Sequence, residues 1–224
     1  MSNKKKRMSK RGLYTVIISV TVLFLFILGM SIHGLMEKRE SEKRAQKMLP
    51  ELNIQENFLT VNEFSRPGTR LRTVRGIVVH YTANPGTDAV ANRNYFNNLP
   101  ALNQKKEKKT YASSHFVIGI EGEIVQCVPL EEIAYASNDR NSDTISIECC
   151  HKRKNGKFTK KTYDSLVKLT VYLCQKYRLS EKEVIRHYDV TGKNCPKYFV
   201  ENEGEWQKFL SEVAGGNEKE SGIR

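Results

Sequence analysis

Twenty consecutive residues near the start of the chain, Leu13 to Ile32, include no charged side chain and are mainly Leu, Ile, Val and Phe. A helix of this length can cross the hydrocarbon core of a bilayer, which is about 30 Å thick. The apolar region of a secretory signal peptide is shorter, typically about 7–15 residues. The pattern therefore predicts a transmembrane helix over residues 13–35, and a cleaved signal peptide is the alternative.

The charges that flank this segment indicate its orientation. Residues 1–12 contain six Lys and Arg and no acidic residue, so the positive-inside rule places this basic tail in the cytoplasm and residues beyond 36 outside. Residues 1–49 hold 11 basic and three acidic residues, which account for +8 of the net charge of +12. The other 26 basic and 22 acidic residues leave a mild excess of +4, without a basic stripe interleaved with aromatics. A nucleic-acid partner is therefore not expected.

The rest of the chain divides by composition into three parts. Residues 36–69 begin with alternating charges and read as a juxtamembrane helical stalk, limited by Pro50, and a connector. Residues 70–213 form the predicted globular domain. Residues 214–224 are polar and glycine-rich, and a flexible tail is expected there.

The globular part alternates predicted strands with predicted helices. This order favours an α/β fold with a mixed central β-sheet flanked by helices. The predicted strands are Ile77–Thr82, His115–Ile120, Glu123–Val128, Ile145–Cys150 and Val184–His187, and the predicted helices are Val90–Leu99, Thr162–Tyr177 and Glu203–Val213.

Three side chains in this domain form a candidate metal-binding set. His80 closes an apolar strand, and His187 precedes Cys195 by eight residues across a short polar loop. Two imidazoles and a thiolate suit zinc, and three protein ligands leave the fourth tetrahedral position open for water. Lys193 would add a positive charge beside the ion, which is useful for catalysis. Each histidine taken singly is more typical of a hydrogen-bonded structural residue.

The remaining cysteines are Cys127, Cys149, Cys150 and Cys174. They allow up to two disulfides or none, and a buried apolar role is as plausible for each as a bridge. Because Cys149 and Cys150 are neighbours on a predicted strand, we expect their side chains to point to opposite faces.

Five motifs in matching order resemble the zinc-dependent N-acetylmuramoyl-L-alanine amidases of the type 2 family, which includes phage lysozyme-amidases and peptidoglycan recognition proteins. The resemblance covers roughly residues 70–212, and its last motif is the most specific. The motifs are His80–Thr82, Ser113–Ile118, Gly122–Gln126, Asn141–Glu148 and His187–Pro196.

The resemblance implies a mixed sheet with flanking helices and a zinc ion in a groove that accepts the glycan–peptide junction of peptidoglycan. His80, His187 and Cys195 match the metal ligands of the family. Lys193 matches a lysine that many members use for activity. Glu148 matches an acidic residue that serves as catalytic base in bacterial members, although a surface ion pair is the alternative for a carboxylate at a strand end.

One position departs from the family pattern. Phage lysozyme-amidases have a catalytic tyrosine immediately before the histidine that corresponds to His115, whereas this chain has Ser114. A tyrosine role is therefore not transferred, and Glu148 and Lys193 are expected to carry more of the chemistry. For His115 we expect a hydrogen-bonded role near the site, not metal ligation.

The sequence thus predicts a zinc amidase in a bacterial cell membrane, single-pass, with its catalytic domain outside. It would hydrolyse the amide between N-acetylmuramic acid and L-alanine in peptidoglycan. Two alternatives remain: a non-catalytic peptidoglycan-binding module, and a zinc hydrolase of the same fold that cuts another wall amide. The presence of the whole metal set together with Lys193 favours an enzyme.

Overall fold

The chain divides into two compact units, Met1–Ser41 and Glu42–Arg224. The computed structural model describes residues 10–222. Most of the predicted cytoplasmic tail, residues 1–9, and the last two residues of the predicted flexible tail lie outside the described residues.

The described part of the first unit is helical. Helix α1 (Lys10–Leu52) begins there, and the large apolar side chains that it carries between Ile17 and Met36 are exposed. By length and composition, α1 is able to cross a membrane. The Thr21 and Ser31 hydroxyls each donate a hydrogen bond of 2.9 Å to the carbonyl four residues earlier, so these polar groups are satisfied within the helix.

The second unit contains a mixed six-stranded sheet. The strands are β1 (Gln55–Glu56), β2 (Gly76–Tyr81), β3 (Phe116–Ile118), β4 (Ile124–Gln126), β5 (Thr144–Cys149) and β6 (Val184–Arg186). Their spatial order is β1-β4-β3-β5-β2-β6, in which β3 and β4 are antiparallel and all other neighbours are parallel. The predicted fold class is confirmed, because helices flank this mixed sheet.

Six helices follow α1 in this unit. They are α2 (Ala89–Asn97), α3 (Leu99–Asn103), α4 (Lys160–Tyr177), α5 (His187–Thr191), α6 (Lys197–Glu201) and α7 (Glu203–Ser221). Short 3-10 helices cover Asn138–Ser142 and Glu181–Glu183.

The two faces of the sheet have different surroundings. Ile77, Val79, Ile145 and Ile147 belong to the larger apolar cluster, which includes residues of α4 and α7. Residues whose side chains point to the other face, such as Val117, pack with α2 in a smaller cluster. Because side chains alternate along a strand, His80 and Glu148 lie on this second face, away from the main core.

The neighbouring cysteines follow the same alternation. Cys149 belongs to the main cluster and Cys150 to the smaller one, which confirms that they point to opposite faces. Both thiols are free and buried, as are those of Cys127, Cys174 and Cys195.

Helix α1 continues past Pro50, where the sequence predicted a limit for the stalk helix. Pro50 lies in its last turn, so the backbone hydrogen bond that its missing N–H removes is one near the end of the helix. Ala45 and Leu52 are buried in the main cluster, with Met48 and Leu49 packed against it. Tertiary packing therefore carries this end of the helix into the second unit's core.

The C-terminal segment differs from its prediction in the same way. Helix α7 runs to Ser221, so residues 214–221 are helical where a flexible tail was expected. The Gln175 side chain donates to the Asn217 carbonyl at 3.3 Å, and Gly216 lies directly against Val171 of α4. Gly216 is one of the glycines on which the prediction of a flexible tail was based, yet its missing side chain permits the close approach of α7 to α4.

The two adjacent glycines of α7 are expected to respond oppositely to alanine. A Cβ at Gly215 would meet open space, whereas a Cβ at Gly216 would lie 2.6 Å from Val171 Cγ2. Gly215→Ala should stabilise the protein by about 0.5–1 kcal/mol through helix propensity. Gly216→Ala should destabilise it by about 1–3 kcal/mol through overpacking against a β-branched side chain.

Urea unfolding of the full chain in detergent micelles, followed by the fluorescence of the single, buried Trp206, measures both effects. Equal shifts of the two midpoints in one direction would contradict the assigned contact.

Candidate metal centre

The three predicted metal ligands converge in the structure. His80 lies near the end of β2, His187 begins α5, and Cys195 follows α5 in a loop. One ligand atom from each lies within 4.8 Å of the others, and all three residues are buried. His80 Nδ1 is 3.9 Å from Cys195 Sγ, and the two imidazole centroids are 4.6 Å apart.

The sheet and a closed loop bring these side chains together. Strand β6 pairs in parallel with β2, so its carboxyl end delivers His187 beside His80. Gly192 then ends α5 in the left-handed region at φ 75°, a conformation that favours glycine. The Tyr188 N–H donates to the Cys195 carbonyl at 2.8 Å, which folds the loop back towards His187.

Arg186, one residue before His187, anchors this junction. Its guanidinium donates to both carboxylate oxygens of Asp189, at 3.1 and 2.9 Å, and to Glu203 at 2.6 Å. It also lies over the Trp206 ring at 5.3 Å. Most of the Arg186 side chain is buried, so these bonds hold the start of α5 to the helices behind it. No motif in the sequence indicates a role for this residue.

The surroundings favour neutral imidazoles. Burial lowers the pKa of His80 well below its usual value, and the positive charges of His187 and Lys193 lower it further. Burial and the Lys193 ammonium also lower the pKa of His187. Burial raises the pKa of the Cys195 thiol to about 12, with a smaller contribution from Glu148. Each neutral imidazole has one nitrogen lone pair available to a cation, whereas the thiol releases its proton when a cation binds.

This donor set fits a zinc-type ion. Two imidazole nitrogens and one sulfur are a common three-ligand set for a zinc site with an open fourth position. His187 Nδ1 is buried and has no hydrogen-bond partner among residues 10–222, which is a costly state unless another species binds it. The structure thus contains a His/His/Cys cluster in which one buried ring nitrogen, His187 Nδ1, has no hydrogen-bond partner among the described residues.

Glu148 lies beside the cluster. In the parallel ladder of β2 and β5 it is the register partner of His80, so both side chains leave the same face of the sheet. The carboxylate is partly buried, and its Oε2 atom has no hydrogen-bond partner within the described chain. Burial raises the pKa of Glu148 to about 7, although the Lys193 charge opposes this shift. A buried carboxylate oxygen without a partner distinguishes Glu148 from a residue in a surface ion pair.

A cavity of about 390 Å³ opens over these residues. Exposed Lys193 lines it together with the His/His/Cys cluster and Glu148, so all five predicted site residues share one cavity. Several lining residues were not predicted as site residues, although three of them belong to the motifs of the family resemblance. These are Tyr81, Phe96, Tyr111, Ala112, Ser113, Tyr135, Ala136, Asn138 and Asn141.

The residue at the family's tyrosine position does not reach this cavity. Ser114 is fully buried, and its hydroxyl donates to the Phe116 carbonyl at 2.8 Å. His115 is buried as well, between the Ser146 hydroxyl and the Glu132 carbonyl, each 3.0 Å from a ring nitrogen. Burial lowers the pKa of His115 to about 4. Its hydrogen-bonded role agrees with the prediction, and it is not part of the set formed by His80, His187 and Cys195.

Comparisons with known proteins find similarity over the part of the chain that contains this site. The family model described as N-acetylmuramoyl-L-alanine amidase matches residues 70–198. A probable N-acetylmuramoyl-L-alanine amidase of Bacillus licheniformis is 35% identical over 169 residues, covering 70% of this chain and 46% of that protein. The amidase CwlL of the same organism is 33% identical over 174 residues, covering 72% and 47%. The chain therefore spans about half the length of these curated relatives.

A solved structure extends the comparison to the fold. The catalytic domain of XlyA is 30% identical, with a TM-score of 0.60. The similarity covers 72% of this chain and 99% of that domain.

Proposed function

Because the chain belongs to the N-acetylmuramoyl-L-alanine amidase family, we propose that it hydrolyses the amide bond between N-acetylmuramic acid and L-alanine in bacterial peptidoglycan. One observation carries the proposal. His80, His187 and Cys195 meet at an open cavity that Glu148 and Lys193 also line. A binding module would need no carboxylate with an unpaired oxygen beside a ligand set with an open position.

Under this proposal, His80, His187 and Cys195 would hold a zinc ion. Zinc, when bound there, would act as a Lewis acid and make hydroxide available near neutral pH. The buried Cys195 thiol would bind as thiolate after losing its proton.

The two proposed catalytic residues would have different roles, proton transfer for Glu148 and charge stabilisation for Lys193. Glu148 would accept a proton from the attacking water and return it to the amine of L-alanine as the amide bond breaks. Its raised pKa, about 7, suits both directions of that transfer. The Lys193 ammonium, exposed at the cavity, would stabilise the negative charge that develops on the carbonyl oxygen.

The direct test uses purified peptidoglycan and the full chain in detergent micelles, with and without a chelator. We expect newly exposed amino termini of L-alanine, and their loss after chelation and recovery with added zinc. Newly exposed termini of another residue would indicate the hydrolase that cuts a different wall amide. Binding to peptidoglycan without any release would indicate the non-catalytic module.

We also propose that α1 anchors the enzyme in the cell membrane with the second unit outside. The exposed apolar surface from Ile17 to Met36 and the basic residues near the start of the chain support this topology. We expect the full chain to remain in bacterial membranes after an alkaline carbonate wash. External protease should degrade the second unit in protoplasts. Recovery of a shortened chain in the soluble fraction would instead indicate a cleaved signal.

A further inference from the structure

Two consecutive residues contact the imidazoles of the His/His/Cys cluster. The Ser137 hydroxyl lies 3.2 Å from His80 Nε2, and Asn138 Oδ1 lies 3.0 Å from His187 Nε2. Ser137 is almost fully buried, and Asn138 begins the 3-10 helix that lines the cavity. One short loop therefore contacts both histidines, each through its Nε2 atom.

The Asn138 contact specifies where the proton of His187 lies. A side-chain amide oxygen only accepts hydrogen bonds, so His187 Nε2 must carry the proton that the bond requires. The lone pair then belongs to Nδ1, the buried nitrogen without a partner among the described residues. Asn138 thus selects the tautomer whose free lone pair is available to a metal.

His80 presents the same atom. Its Nε2 faces the Ser137 hydroxyl, and its Nδ1 faces Cys195 Sγ at 3.9 Å. A hydroxyl both donates and accepts, so Ser137 is compatible with a proton on Nε2. In both histidines Nε2 contacts the loop, while Nδ1 of His80 faces Cys195 and Nδ1 of His187 is buried without a partner among the described residues.

The loop is held firmly enough to orient two rings. Asn141 Oδ1 accepts hydrogen bonds from the Ala136 and Ser137 backbone N–H groups at 3.0 and 2.6 Å. Asn138 adopts φ 52°, in the left-handed region that Asn tolerates better than most residues. The Thr144 hydroxyl donates to the Arg140 carbonyl at 2.6 Å, which ties the loop to the start of β5.

We propose that Asn138 is a positioning residue that holds His187 as its Nε2–H tautomer, and that Ser137 orients His80, with both Nδ1 atoms directed to the metal. The proposal rests on the proposed metal site. Such partners behind a ligating histidine fix its tautomer and orientation, and their loss typically weakens metal affinity by about 10–100-fold.

Three variants of the full chain in detergent micelles test the role of Asn138. Asn138→Gly removes the acceptor while glycine tolerates φ 52°, so backbone strain does not confuse the result. Asn138→Asp keeps an acceptor oxygen on a residue that also tolerates this conformation. Asn53→Gly is the control, because Asn53 is exposed and has φ 45° away from the cluster.

Two readouts apply, neither of which depends on hydrolysis. Competition with a chromogenic chelator should show zinc bound about 10–100-fold more weakly by Asn138→Gly. Asn138→Asp should restore tight binding, and Asn53→Gly should match the parent. Nitrogen-15 spectra of the zinc-free parent should show His187 as the Nε2–H tautomer, with Nδ1–H appearing in Asn138→Gly.

Unchanged zinc affinity and an unchanged His187 tautomer in Asn138→Gly would overturn the proposal. A parent chain with His187 in the Nδ1–H form would overturn it without any variant, even if Asn138→Gly did not fold. A tautomer change with weaker zinc binding, in a protein that releases no L-alanine termini, would support the positioning role and refute the amidase proposal. A parent that bound no zinc would overturn both the metal site and this inference.

Discussion

Cys195→Ala is expected to abolish stoichiometric zinc binding and to lower the release of L-alanine termini by more than about 100-fold. Loss of a residue that only hydrogen-bonds to a metal ligand already lowers metal affinity or activity by up to about 100-fold, and loss of a ligand itself should cost more. The substitution removes the one sulfur of the cluster and leaves two imidazoles, which hold zinc far less tightly. Zinc content by elemental analysis and the peptidoglycan assay measure the two effects.

Cys174→Ala provides the matched control. Cys174 is also a buried free thiol, but it lies in the main apolar cluster with α4. The control should keep its zinc and its activity while losing some stability from the small cavity. Activity that survived in Cys195→Ala, or an equal loss in both variants, would refute the assignment of Cys195 as a ligand.

Glu148→Gln is expected to separate chemistry from metal binding. Glutamine has nearly the same shape as glutamate but cannot take up a proton, so activity should fall by about 10²–10⁴-fold. Zinc content should stay at the parental level, because Glu148 is not among the three clustered side chains proposed to hold the metal. Turnover at saturating peptidoglycan and zinc content together measure this separation.

Glu56→Gln is the control for the loss of one strand carboxylate. Glu56 is exposed on β1, at the edge of the sheet, and should tolerate the change with parental activity. Parental activity in Glu148→Gln would show that another group moves the proton. Loss of zinc in that variant would instead give Glu148 a structural role at the metal.

Much of the sheet was predictable because its strands are short apolar runs with clear ends. The observed β2 begins and ends one residue earlier than the predicted Ile77–Thr82, and β5 is displaced by one residue in the same direction. The motif from His187 to Cys195 pointed to the cluster because its spacing allows a loop to fold back. The parallel register that places Glu148 beside His80 needed the structure, since periodicity does not specify which strands pair.

Other features depend on tertiary contacts that leave no pattern in one segment. Ser137 and Asn138 reach the histidines only because a 3-10 helix begins beside the ends of two strands, and neither residue type at that position indicates a metal site. Likewise, glycine in residues 214–221 predicted fraying, yet Gly216 packs on Val171. In that case packing against a helix distant in sequence outweighs the low helix propensity of glycine.

The ladder that pairs His80 with Glu148 also constrains how the site can change by insertion or deletion during evolution. Side chains reverse direction at every step along a strand, so inserting or deleting one residue before Glu148 in β5 would turn its carboxylate into the main core. Indels inside β5 would therefore be tolerated only in pairs, whereas substitutions could vary freely at the cavity wall. New substrate preferences in this scaffold should arise by replacing wall residues such as Tyr111 and Tyr135, with the length of the strand left unchanged.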